Sequence, residues 1–128
     1  MQIQAITDYA IRILRYLHEN PGQHSGIEIA KAVNITYPIF TRISMKLRQA
    51  GLLTSFQGRN GGYALANPAT EISIYAVFLC MQGDVHIGQC TKMGLSCAHE
   101  GCKLQTFVQT LQDSMITNMS NMYVADLV

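Results

Sequence analysis

Residues 36–51 read Thr36-Tyr37-Pro38-Ile39-Phe40-Thr41-Arg42-Ile43-Ser44-Met45-Lys46-Leu47-Arg48-Gln49-Ala50-Gly51, and soon after comes Gln57-Gly58-Arg59-Asn60-Gly61-Gly62-Tyr63. The first stretch predicts a helix. Thr36 before Pro38 is a start signal, because a hydroxyl accepts from the unpaired N–H groups of a first turn and proline suits that turn. Gly51 supplies the stop. Ile39 or Phe40, then Ile43 and Leu47, recur at helical spacing and predict the buried stripe. Thr41, Arg42, Ser44, Lys46, Arg48 and Gln49 make a polar, basic face. The second stretch lies between two short strands, Leu52 to Phe56 and Tyr63 to Ala66. It predicts a hairpin whose turn needs positive φ at several positions.

Two helices are expected upstream. Ile6, Tyr9, Ala10, Ile13, Leu14 and Leu17 mark a helix near residues 5–19, which Pro21-Gly22 ends. Ser25 stands three residues before Glu28, a capping-box pattern that opens a short helix with Ile27, Ile29, Ala30 and Val33, closed by Asn34. Two short helices, a third with a basic face and a hairpin with a basic tip together predict a winged helix-turn-helix. The fold class expected is mainly α with a small β-hairpin wing. Thr36, Tyr37, Thr41, Arg42 and Ser44 are the candidates to face the groove of double-stranded DNA. Lys46 and Arg48 are placed for phosphate, and Arg59 with Asn60 at the wing tip for a minor groove.

Charge agrees with that placement. The net charge is +1, but seven of the nine Lys/Arg residues and only three of the eight acids fall in residues 1–60. A basic N-terminal half is the least expected of a surface that neutralises phosphates. Hydrophobic residues make up 48% of the 128-residue chain, enough for one domain with its own core. No signal peptide and no membrane-length apolar run is apparent, so a cytoplasmic protein without membrane contact is expected. No nucleophile–base pair, phosphate loop or paired carboxylates are found, which argues against an enzyme.

Downstream, Pro68 breaks the chain and Ile72 to Met81 predicts an apolar helix. Residues 83–102 form a glycine-studded loop that holds Cys90, Cys97 and Cys102. Six residues separate the first two and four the last two. In a reducing compartment, clustered thiols suit metal ligation or redox sensing better than a structural disulfide. Three thiolates suit an iron–sulfur cluster or zinc. A fourth donor is needed, and His86, His99 and Asp8 are the candidates. Cys80, between Leu79 and Met81, reads as a buried core thiol. Leu104, Phe107, Val108, Leu111, Met115, Met119 and Met122 then mark one stripe of a long helix, with Ile116 alongside. No later element remains to cover it, and a second copy would do so, which predicts a homodimer. The organisation expected is a DNA-binding head at 1–82, a cysteine loop at 83–102 and a dimerisation helix at 103–128.

Three stretches together resemble the Rrf-type bacterial transcription regulators. They are Ile6-Thr7-Asp8-Tyr9-Ala10-Ile11-Arg12, Lys46-Leu47-Arg48-Gln49-Ala50-Gly51-Leu52 and Gly58-Arg59-Asn60-Gly61-Gly62-Tyr63 with Leu65-Ala66. The resemblance covers nearly the whole chain. It implies a homodimer joined through the last helix and bound to a pseudo-palindromic operator, most often as a repressor. It also implies an iron–sulfur cluster on Cys90, Cys97 and Cys102 that senses cluster status, nitric oxide or redox state. Some members use a histidine shortly after the third cysteine; here Gln105 stands in that region and no histidine follows Cys102. Others use an aspartate of the first helix from the partner subunit, which falls on Asp8 and favours a 4Fe–4S over a 2Fe–2S cluster. The family also contains members without a cofactor. The alternative is therefore a cofactor-free regulator controlled by a protein partner or by thiol oxidation.

Overall fold

The computed structural model describes residues 3–88 and 102–128. Three helices come first: α1 (Ala5–Glu19), α2 (Gly26–Ala32) and α3 (Tyr37–Gln49). A hairpin follows, β1 (Leu53–Phe56) antiparallel to β2 (Gly62–Leu65), with Leu53 opposite Leu65 and Phe56 opposite Gly62. Then come α4 (Ile74–Gln82) and α5 (Lys103–Ser120), with single 3₁₀ turns at Ala69–Glu71 and Val124–Leu127.

The caps are where the residue types place them. Ser25 Oγ accepts from Glu28 N at 3.1 Å, Thr36 Oγ1 from Ile39 N at 3.4 Å and Ser73 Oγ from Ala76 N at 3.1 Å. Each satisfies a first-turn N–H that the helix itself leaves unpaired. The capping box of α2 is only half built, because the Glu28 side chain turns to His24 instead. Asn34, at φ 60°, ends α2 in the left-handed region that asparagine tolerates.

The core lies where α1, α3 and α4 meet. Ala10, Ile13 and Leu14 of α1, Phe40, Ile43 and Leu47 of α3, and Val77 of α4 are fully buried. Phe40 settles the choice left open on α3: it is buried, while Ile39 lies at the surface. Ile27, expected on the apolar side of α2, is 68% exposed. A seven-residue helix has room for only two or three inward positions, and Ile29 and Ala30 take them. Cys80 is half-buried rather than buried. Its thiol donates to Lys46 O at 3.3 Å, and burial pushes its pKa up against the opposing Lys46 charge.

The last element departs from expectation. The helix predicted to fill residues 103–128 ends at Ser120, before Met122. The chain then turns back to the head: Ile74 N donates to Met122 O at 2.8 Å and Val124 N to Ile72 O at 2.9 Å. Val124 is fully buried in the main core. Residues 122–127 therefore tie α5 to α1 and α4. No helix among the described residues is long and apolar enough to cross a membrane.

Candidate nucleic-acid interface

Helix α3 advances about 100° per residue, so its buried residues define its outer face. Phe40, Ile43, Ser44 and Leu47 point inward. The opposite face is centred on Pro38, Arg42, Met45 and Gln49, with Thr41 and Lys46 on its flanks. All six are exposed.

This geometry removes Ser44 from the groove-facing set. It is 3% exposed, and its hydroxyl donates to Thr41 O at 3.0 Å. Ser44 lies one turn from both Phe40 and Leu47 and shares their inward face; a polar residue type alone did not reveal that. Thr36 is engaged as the α3 cap. The Thr41 hydroxyl donates to Tyr37 O at 2.9 Å, so its proton is committed to the backbone. Tyr37 is half exposed, and its ring lies over Phe40 with centroids 6.2 Å apart. Met45 was not among the residues singled out from the sequence, yet it is 49% exposed at the centre of the face. Its position three after Arg42 and four after Thr41 was the available signal.

Arg48 turns toward the hairpin, where its Nη1 donates to Ser55 Oγ at 2.9 Å. It lines a cleft of about 370 Å³ between the start of α2, the start of α3 and the wing, with Ser25, Ile27, Tyr37, Gln57 and Tyr63. Arg59 and Asn60 are exposed at the wing tip. Within the turn only Gly58, at φ 107°, takes the left-handed conformation expected at several positions. Gly62 is required for room instead: a Cβ there would stand 2.4 Å from His24 O. Arg42 and Lys46 on α3 and Arg59 on the wing thus present cations from two elements joined by one short strand.

The expected metal donors are placed only in part. Cys90, Cys97 and His99 lie outside the described residues. Cys102 is a half-buried free thiol immediately before α5. His86 is half-buried, and its Nδ1 finds no hydrogen-bond partner among the described residues. Asp8 Oδ2 accepts from Arg12 Nε at 2.9 Å, with both side chains about half exposed. Such an i,i+4 surface pair contributes only about 0.3–0.5 kcal/mol, so Arg12 is a weak competitor for that carboxylate. Among the described residues no three His, Cys, Asp or Glu side chains converge. The chain entering the cysteine segment is nevertheless fastened to α5. Val85 is buried, Ile87 N donates to the buried Gln112 Oε1 at 3.2 Å, and Gly88 sits against Val108.

Comparison with known proteins bears on the whole architecture. Residues 3–128 match the model of a family described as Rrf2, iron-dependent transcriptional regulator. The HTH-type transcriptional regulator NsrR of Halalkalibacterium halodurans is 35% identical over 92 residues, which span 70% of this chain and 63% of that protein's length. NsrR of Shouchella clausii is 27% identical over 132 aligned positions, covering 100% of this chain and 89% of that one. The structure of CymR, the global cysteine regulator of B. subtilis, superposes with a TM-score of 0.83 at 21% identity, covering 99% of this chain and 95% of that one. IscR of T. potens superposes at 0.78 with 19% identity, covering 99% and 85%. At such identities the superpositions speak for the fold, a winged helix with a long C-terminal helix. With the family model matched almost from end to end, the chain belongs to the Rrf2 family of transcriptional regulators.

Proposed function

We propose that this chain is a homodimeric DNA-binding repressor whose grip on a pseudo-palindromic operator responds to iron–sulfur status, nitric oxide or redox state. The observation that carries the DNA part is the shared outward placement of Arg42, Met45 and Lys46 on α3 with Arg59 and Asn60 on the wing. In this reading α3 lies in a major groove and the wing tip reaches the neighbouring minor groove. Arg42 is the base-reading cation. Lys46, and Arg48 from the cleft beside the wing, meet phosphate. Met45 offers an apolar surface to thymine methyl groups.

The dimer rests on α5. Leu104, Phe107 and Leu111 are 65%, 62% and 47% exposed along it. A second copy of the same helix would cover them, and an isologous pairing would set two heads one helical turn of DNA apart.

The sensing part rests on the three cysteines and on the family description. Cys90, Cys97 and Cys102 would hold a 4Fe–4S cluster, with Asp8 of the partner subunit as the fourth donor. Thiolates and one carboxylate are a donor set suited to such a centre. When bound, the cluster would supply a group that reacts with nitric oxide or oxidants. This chain's own contribution is mechanical. Residues 85–88 are tacked to α5 through Gln112 and Val108, and α5 is tied to the head through residues 122–127. A change in the cysteine segment is thereby linked to the angle between heads.

The DNA part is tested by anisotropy with operator fragments over a salt series. Arg42→Ala and Arg59→Ala should each weaken binding by about 1–3 kcal/mol where a base edge is read. Wild-type affinity in both variants would refute this docking. The sensing part is tested by anaerobic preparation with iron and sulfide analysis and an absorption spectrum. A colourless, metal-free protein with full DNA affinity would refute it and leave the dimeric DNA binder.

A further inference from the structure

The wing is held to the helical head by the segment between α1 and α2. His24 N donates to Tyr63 O at 3.0 Å, and Tyr63 N donates to His24 O at 2.7 Å, an antiparallel bridge beside β2. Gln23 Nε2 donates to Asn60 O in the wing turn. Gly62 packs directly on the His24 carbonyl. The place of the hairpin on this side is therefore set by the backbone of His24.

The side chain of the same residue is gripped at both ring nitrogens. Nδ1 lies 3.0 Å from Glu28 Oε1, and Nε2 lies 2.8 Å from Asn20 O. A carbonyl and an ionised carboxylate only accept. A neutral imidazole carries one N–H, so it satisfies one of them and turns a lone pair on the other; an imidazolium donates to both. The groups facing His24 can be named for each neighbouring element. From α2 comes Glu28. From α1 comes Tyr16, whose ring meets the imidazole edge-on at 5.6 Å and whose hydroxyl donates to Glu28 at 3.3 Å. The connecting segment adds the Asn20 and Pro21 carbonyls, and β2 offers the Tyr63 backbone.

We propose that His24 is a positioning residue for the wing. Its protonated ring ties the end of α1 to the start of α2, holds the segment on which β2 rests, and so sets where Arg59 meets DNA. Loss of that proton loosens the wing and weakens the grip on DNA.

Titration works in the same direction. Burial alone would lower the His24 pKa, but the hydrogen bonds to Glu28 and Asn20 and the Glu28 charge outweigh it and raise it above the ordinary 6.5. Glu28 is held below the ordinary 4.5, first by its hydrogen bond with His24. The His24 contribution is therefore complete below 6.5 and lost as pH rises through its raised value. The Glu28 contribution is present above 4.5 and lost as pH falls through its lowered value.

This proposal rests on the DNA-binding reading, so its test has a part that does not. In the DNA-free full chain, NMR should give a His24 midpoint above 6.5, displaced downward in Glu28→Gln. Protection of the Tyr63 amide, corrected for intrinsic exchange, should fall across that midpoint in wild type and stay flat in His24→Gln. Affinity for an operator fragment should fall several-fold from pH 6 to 8.5, bounded at about tenfold per pH unit for each linked proton. Both variants should show a flatter profile. A midpoint below 6.5, unchanged Tyr63 protection, or equal pH profiles in wild type and His24→Gln would overturn the proposal. The full NMR response with no DNA binding at any pH would support the wing latch and overturn the DNA reading instead.

Discussion

Helices α1 and α5 are similar in length and opposite in what they bury. The 15 residues of α1 bury Thr7, Ala10, Ile13, Leu14 and Leu17. The 18 residues of α5 bury only Gln112, a polar residue, while Leu104, Phe107 and Leu111 face outward. An apolar stripe on α1 is covered by α3 and α4 of the same chain. On α5, Leu104, Phe107 and Leu111 stay exposed among the described residues, while Val108 meets Gly88. Fully burying one such side chain is worth about 1.5–3 kcal/mol, so an exposed row of three is the surface on which the proposed pairing with a second α5 depends. The head closes its core with Val124 from beyond α5, while α5 itself leaves Leu104, Phe107 and Leu111 exposed.

That contrast can be broken most forcefully in the head. Phe40→Ala should cost about 3–5 kcal/mol. Phe40 is fully buried, with its ring edge-on to Tyr63 at 5.1 Å. Denaturant unfolding reads the loss, and a cost below about 1 kcal/mol would mean the head core is looser than described.

Phe107→Asp combined with Leu111→Asp attacks the other side. Head stability should move by less than about 0.5 kcal/mol, because both side chains are exposed. Sedimentation should show a single subunit, and operator affinity should fall about 100-fold as the two heads lose their linkage. A variant that stays dimeric would place the interface elsewhere.

The smallest effect expected is at a cap. Ser25→Ala should cost about 1 kcal/mol by releasing Glu28 N. It should leave the oligomeric state untouched, because Ser25 lies at the start of α2, away from the exposed residues of α5.

Much of the head was legible in the residues. Proline, glycine and hydroxyl residues at helix ends act locally, through φ restrictions and hydrogen bonds a few residues long. The start of α3 at Thr36, the ends of α1 and α3 and the hairpin therefore lie close to where the sequence places them. Facing was less legible. Ser44 turned inward and Met45 outward, because a helix rotates whole, and Phe40 and Leu47 outweigh the preference of a single hydroxyl or thioether. The half-built capping box at Ser25 is a similar case. Glu28 fits the local pattern, but His24 and Tyr16, brought beside it by the fold, bind its carboxylate instead.

From sequence alone came the winged helix, its basic half, the three clustered cysteines and the apolar stripe of the last helix, of which Leu104, Phe107 and Leu111 are exposed, all features set by residue type and short-range periodicity. Tertiary structure alone showed that residues 122–127 return to the head, that Arg48 turns to Ser55, and that His24 joins α1, α2 and the wing. The His24 ring contacts span only four positions each way, but the others link residues 7 to about 50 positions apart, through pairings of backbone and side-chain groups that no local pattern encodes. They exist only once the apolar core has brought the helices together.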